Sequence, residues 1–482
     1  MKKLYTYIVS MMLGLTLLSS CDNYLEQVSP DQPTTDQTWV SYEAAEKYLA
    51  SAYSYMQANG WRYHEYFYLP QNFRADDIQP ENGTTAWNYL ARIVGFNNTA
   101  SDGVPAVMWD YWYKGLKLTN DVIANAPSME MISQEERDEL VAEAKFLRAW
   151  YHFNLLKNFH NVILVTNVAE TPEELQLPAV SRAEVYQQIE EDLMFAAANL
   201  PLKWEQEYWG RATANAANAY LGKVLLYQGK WQASLDALNK VEGHDLVSAS
   251  AFRGMFDGTS EVNEEVIFSR GYTSEQLDAL SLYHQLGVAM APGELNGGWY
   301  MASISEYFMG ALEAGDIRTA ATVLQNGETF DGEVINFNNP DFKMMIKYVE
   351  SLDAITTNRS TVDLIFMRYA DVMLMQAEAM YELGNDTEAL AKVNSIRERA
   401  NLAALTGVTG TALQDEIRKQ RMIELVGEGQ RYYDLVRWGI VKDQLNAAGQ
   451  KYADNFEDKH EYFPIPLEEV QRNPNINPTP GF

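Results

Sequence analysis

Leu226-Tyr227-Gln228-Gly229-Lys230, followed by Ser234 and Leu235, and Tyr381-Glu382-Leu383-Gly384-Asn385, followed by Ala389 and Leu390, are two copies of one pattern. In each, a glycine has a small residue five positions on and a leucine six on. Glycine suits the left-handed position that ends a first helix, and the small residue lets a second helix lie close against it. Arg211 to Val241 and Arg368 to Ala400 therefore read as helical hairpins, either of tetratricopeptide type or generic. Between Glu135 and Phe159, Leu140, Ala144, Leu147, Tyr151 and Leu155 form one apolar stripe, and Ser133 and Glu136 are spaced as a capping box. Helical pairs are thus expected near 135–160, 211–241 and 368–400, and the expected fold class is all-α.

The two copies lie too far apart for a regular array, which makes them scattered pairs carrying longer insertions. Helical patterning weakens over about 242–358, where Gly287, Pro292, Gly293, Gly297 and Gly298 mark Leu286 to Trp299 as loop-forming. This region is read as a loop-rich insertion. The proline-rich tail from Tyr462 is expected to run extended over the surface.

The chain opens with Lys2 and Lys3, an apolar stretch from Ile8 to Leu18, and small residues before Cys21, the build of a secretory signal. That stretch is shorter than the ~20 residues needed to span a bilayer. Leu17-Leu18-Ser19-Ser20-Cys21 resembles a lipobox, so Cys21 is expected to be the mature, acylated N-terminus and the membrane anchor. An ordinary secretory peptide with an incidental Cys21 is the alternative. The chain divides into a signal peptide at 1–20, a polar tether at 21–39 with Pro30 and Pro33, and one helical domain at 40–482. Cys21 is the only cysteine, so no internal disulfide is available.

Acidic residues number 66 against 37 basic ones, for a net charge of −29. Such a field repels phosphate backbones, so no nucleic acid partner is expected, and solvated acidic faces account for the charge. The sequence contains no zincin spacing, phosphate loop, dinucleotide fingerprint or nucleophile elbow, and its six histidines lack metal-ligand spacing. Glu261, Glu264 and Glu265 form an acidic cluster of the kind that binds calcium, but without an EF-hand loop. No catalytic residue, metal ligand or cofactor is assigned, and the chain is not read as an enzyme. An exported hydrolase is the one catalytic alternative, since acidic pairs are too numerous here to be specific.

Aromatic residues make up 12% of the chain, and two groups of them lie in loop-like sequence. Trp61, Tyr63, Tyr66, Tyr68, Trp87 and Tyr89 surround the polar run Asn72, Arg74, Asp76 and Asp77. Trp299 and Tyr300 follow Asn296 and the glycine-rich stretch. Sugars present apolar C–H faces edged by hydroxyls, so rings offer stacking area while Asn, Asp and Arg supply directional hydrogen bonds. The candidate ligand residues are Trp61, Arg74, Asp76, Asp77, Trp87, Asn88, Tyr89, Asn296, Trp299 and Tyr300. The same rings would also serve as core filler, and Asp76 and Asp77 as a helix cap.

Several segments in order now resemble the SusD-like (RagB/SusD) family of outer-membrane nutrient-binding lipoproteins. They are Glu143-Ala144-Lys145-Phe146-Leu147-Arg148-Ala149-Trp150-Tyr151, Gly210-Arg211-Ala212-Thr213, and Arg368-Tyr369-Ala370-Asp371-Val372 with Gln376-Ala377-Glu378-Ala379. Glu428-Gly429-Gln430-Arg431-Tyr432-Tyr433-Asp434-Leu435-Val436-Arg437-Trp438 and the end from Phe463-Pro464-Ile465-Pro466 to Pro480-Gly481-Phe482 complete the match. Arg431, Asp434 and Arg437, three apart on a helix, are read as ion pairs that lock it to its neighbours. The resemblance implies a SusD-like fold with tetratricopeptide-like hairpins as scaffold and a ligand surface built by loops. It places Asn72 to Asp77 near that surface, and Trp87 and Trp299 in the regions that supply platform aromatics. It further implies an outer-membrane position facing the exterior and no catalysis, with glycan captured and delivered to a SusC-like TonB-dependent porin. A RagB-like peptide-binding lipoprotein is the alternative, expected to show an aromatic-poor groove.

Overall fold

The computed structural model describes residues 38–56, 64–171, 173–272 and 283–482. Cys21, the signal segment, most of the tether and Trp61 lie outside the described residues. Helix α1 spans Tyr42–Tyr53, and the short α2 and α3 span Asn82–Ala86 and Asn88–Val94. The long α4, Gly103–Asn125, and α5, Gln134–Asn158, are followed by α6, Arg182–Asn199, then α7, Ala214–Leu226, and α8, Trp231–Leu238. After the insertion come α9, Tyr369–Glu382, α10, Asp386–Arg399, α11, Gly410–Leu425, and α12, Arg431–Arg437.

Local sequence explains these boundaries. Ser133 accepts the Glu136 amide while Glu136 accepts the Ser133 amide, so both halves of the capping box start α5. Its stripe, Leu140, Ala144, Leu147, Tyr151 and Leu155, is wholly buried. Gly229 and Gly384 take φ of 68° and 79°, the left-handed values that close both hairpins. Ser234 donates to the Gly222 carbonyl at 2.7 Å, and a Cβ on Gly222 would meet Leu238 at 2.4 Å, which is how α7 and α8 come so close. In place of the pair expected near 135–160 there is the single helix Gln134–Asn158, and α5 packs between α4 and α6.

Helices α4 to α8 pack each on the next, and α8 then packs on α9. The two hairpins are therefore neighbours in space, and the chain between them is looped out of the stack. The class is all-α, and among the described residues the strands are confined to two-stranded ladders. Strand β1, Ile78–Pro80, pairs antiparallel with β3, Ala302–Ile304; β2, Val266–Arg270, pairs with β6, Leu364–Arg368; β4, Val323–Gln325, pairs with β5, Lys343–Met345. Four of these six strands belong to the insertion. The tail bridges Phe463 to Phe159 and buries Phe463 and Ile465, but Leu467–Arg472 is a short helix and not extended chain. Among the described residues no helix is long and apolar enough to cross a membrane.

The α12 charges are interior. Arg431 grips Asp76 at 2.7 Å through two nitrogens, Asp434 accepts from Arg421 at 2.9 Å, and Arg437 pairs with Glu378. These bonds pin the C-terminal helices to the segment before β1 and to α9.

Candidate functional site

Two segments far apart in sequence build the site because β1 and β3 pair, Ile78 opposite Ile304 and Pro80 opposite Ala302. Beyond the ladder, the Glu81 and Gly83 amides donate to the Met301 and Tyr300 carbonyls at 2.8 Å each, and Thr84 Oγ1 donates to Met301 at 2.7 Å. Gly83 lies so close that a Cβ there would sit 1.8 Å from the Trp299 carbonyl oxygen. On the other side, the Trp299, Tyr300 and Met301 amides donate to Val288, Ala291 and Ala289. Asn296, Gly297 and Tyr300 all adopt positive φ, which turns the glycine-rich chain back onto the ladder.

Trp87 is the extended residue that ends α2 and begins α3, so its ring projects from a break between helices. It is 36% exposed, and its ring lies 6.3 Å from that of Trp299 at 43° and 6.0 Å from that of Tyr89 at 29°. Tyr89, Trp299 and Tyr300 are half-buried, while Asn88 and Asn296 are exposed. Tyr300 packs on Phe342 at 4.9 Å. Burial, reinforced by the charge of Glu81, raises the Tyr300 hydroxyl above its usual range, so it stays a neutral donor. Glu81 also accepts the Ser303 hydroxyl at 2.6 Å, and Asn296 donates weakly to the Leu352 carbonyl at 3.4 Å. The result is a platform of rings with carboxylate, phenol and amide groups at its edge. Such a surface stacks on an apolar ligand face and hydrogen-bonds its margin.

Arg74, Asp76 and Asp77 are corrected from ligand surface to scaffold. They are 3%, 0% and 2% exposed. Arg74 donates to the Tyr432 hydroxyl and the His460 carbonyl and lies over the Tyr432 ring at 3.9 Å. Asp76 is consumed by Arg431 and Gln444, and burial beside Asp76 pushes the Asp77 carboxyl up to about 8. A buried arginine and carboxylate need partners, and these partners come from the C-terminal segment. Trp61 falls outside the described residues. Glu265, from the acidic cluster, is spent on Arg368 at 2.7 Å and Arg399 at 3.3 Å, while Glu261 accepts the Asp363 amide. Among the described residues no three His, Cys, Asp or Glu side chains converge as a metal set. Glu81 and Ser303 were not legible as site residues from the sequence; their proximity arises from strand pairing.

The stack of helix pairs with a looped-out insertion is an architecture that known proteins share. Two family models match separate parts of the chain: "SusD family" over residues 300–482 and "Starch-binding associating with outer membrane" over residues 23–226. The chain belongs to the SusD-like family. SusD-like protein P25 of Formosa agariphila is 25% identical over 506 aligned residues, covering 94% of each chain. SusD-like protein P2 of the same organism is 28% identical over 421, covering 79% of this chain and 81% of the relative. A SusD superfamily protein from Bacteroides vulgatus superposes with a TM-score of 0.82 at 27% identity, covering 92% of this chain and all of that one. A laminarin-binding SusD-like protein superposes with a TM-score of 0.78, also at 27% identity and 92% of this chain, and is matched over its full length.

Proposed function

We propose that this protein is a glycan-binding lipoprotein of the outer membrane, anchored outside the cell through Cys21, which captures saccharide on the Trp87–Trp299 platform without catalysing its cleavage. The observation that carries this reading is the convergence of Trp87, Tyr89 and Trp299, partly exposed rings delivered by a helix junction and a separate loop and edged by Tyr300 and Glu81. Support for the ligand class comes from the laminarin-binding neighbour, and support for the membrane from the family description. Captured glycan would pass to a SusC-like TonB-dependent porin. The peptide-binding alternative calls for an aromatic-poor groove, and the observed cluster is aromatic-rich.

Replacing Trp87 and Trp299 together by Ala removes both stacking faces, each worth about 1.5 kcal/mol, roughly tenfold in affinity. Titration calorimetry with neutral oligosaccharides should show at least that loss with circular dichroism unchanged, and equal affinity for the double variant would end the platform assignment. Cys21→Ser should move the protein from the membrane fraction to the soluble fraction of the envelope, and unchanged partitioning would end the anchor assignment.

A further inference from the structure

A cavity of about 730 Å³ opens between the loop that joins α6 to α7 and strand β2, and it shares no residue with the platform. Its volume falls within the range of small-ligand sites, roughly 300–1,000 Å³. Trp204, Tyr208 and Trp209, three rings within six residues, line it, and Tyr208 is 39% exposed. The two tryptophans are held by hydrogen bonds. Trp204 Nε1 donates to the Ala212 carbonyl at 2.7 Å, and Trp209 Nε1 donates to Asp363 at 3.2 Å. Arg211 stacks on Trp204 with its guanidinium 4.2 Å from the ring centre, and is itself held by Glu143 at 3.0 Å and by Glu46 at 2.5 Å. A ring clamped in this way loses little freedom when a ligand stacks on it.

The polar lining points to the ligand's chemistry. Lys203, Glu242 and Glu264 are exposed at the cavity, and Arg211, its other cation, is already neutralised by two carboxylates. A uronate or sulfated sugar would meet more negative than positive charge there. Ser269 also lines the cavity and is 3% exposed, and its hydroxyl makes no hydrogen bond. A buried hydroxyl without a partner is costly, and a small motion bringing a ligand hydroxyl to it would recover that cost.

We infer that this cavity is a second saccharide site, taking a short segment of an uncharged glycan by stacking on Trp204 and Tyr208. The inference rests on the glycan-binding reading above. Two sites on one chain that engage the same long polysaccharide raise affinity with ligand length beyond what the platform alone provides.

Calorimetry on the mature chain would use laminarihexaose, maltohexaose and, as the charged control, hexagalacturonate, with parallel migration through laminarin-loaded gels. The platform variant, Trp87→Ala with Trp299→Ala, should keep a weak neutral-hexasaccharide site, and adding Trp204→Ala and Tyr208→Ala should remove it. Those two cavity substitutions alone should weaken retention by laminarin tenfold or more. Tyr208→Ala by itself, at an exposed ring, supplies the same comparison if Trp204→Ala fails to fold, with a severalfold loss expected. If the cavity variants match the parent while the platform variant loses all binding, the second site is overturned and the platform reading stands. If no probe binds the parent chain, both fall. Preference for hexagalacturonate, or displacement by mixed peptides alone, would overturn the second site.

Discussion

Asp77 and Gly83 lie six residues apart and shape the platform's base in opposite ways. Asp77 is buried without a partner for one carboxylate oxygen, and burial, then the Asp76 charge, pushes it up to about 8 against the pull of Arg431. In the unfolded chain an aspartate titrates near 3.9. Between about pH 4 and pH 8 the folded chain keeps a proton that the unfolded chain has released, so this residue's contribution falls as pH rises. Asp77→Asn should leave the urea midpoint unchanged near pH 4 and raise stability progressively as pH climbs to 8, by up to roughly 5 kcal/mol. A difference independent of pH would contradict this account. In sequence, Arg74, Asp76 and Asp77 lie among loop aromatics, where Asp and Arg supply directional hydrogen bonds to a sugar's rim, yet in the fold all three are buried. Arg431 and Tyr432, which bury them, come from the far end of the chain.

At the level of elements, the β1–β3 ladder is the device that turns two ring-bearing loops into one surface. Its extension through Gly83 depends on the absence of a side chain, since a Cβ would collide with the Trp299 and Tyr300 carbonyls. Gly83→Val should push the Trp299 loop away from Trp87 and lower oligosaccharide affinity tenfold or more while helix content by circular dichroism is kept. Parent-like affinity would show that the ring spacing tolerates the displacement. The helical hairpins were legible because glycine spacing and apolar periodicity are properties of consecutive residues, as Gly229, Gly384 and the α5 stripe attest. The ladder was not legible, because strands of three residues carry too little periodicity to be recognised.

Across the whole molecule, the insertion is fastened to the helical stack by buried charge. Arg368, fully buried, bonds Glu265 at 2.7 Å, Glu424 at 2.6 Å and Glu428 at 2.8 Å, linking β2 and β6 to α11 and the turn that follows it. Glu424 in turn takes Arg318 and Arg399. Removing one partner leaves the others buried and uncompensated, a loss of roughly 3–5 kcal/mol. Arg368→Met should lower the free energy of urea unfolding by about that amount without changing glycan affinity of the folded protein, and parent-like unfolding would show that the network carries no net stability. The helical class, both hairpins, the capping box of α5 and the segments that carry the family resemblance are legible along the linear chain, because each follows from spacing within a continuous stretch. That Trp87 meets Trp299, that Asp76 disappears against Arg431, and that Trp204 and Tyr208 line a cavity emerges only once the chain is folded. Those outcomes depend on which distant segments pair, and pairing is set by packing and charge compensation across the whole chain.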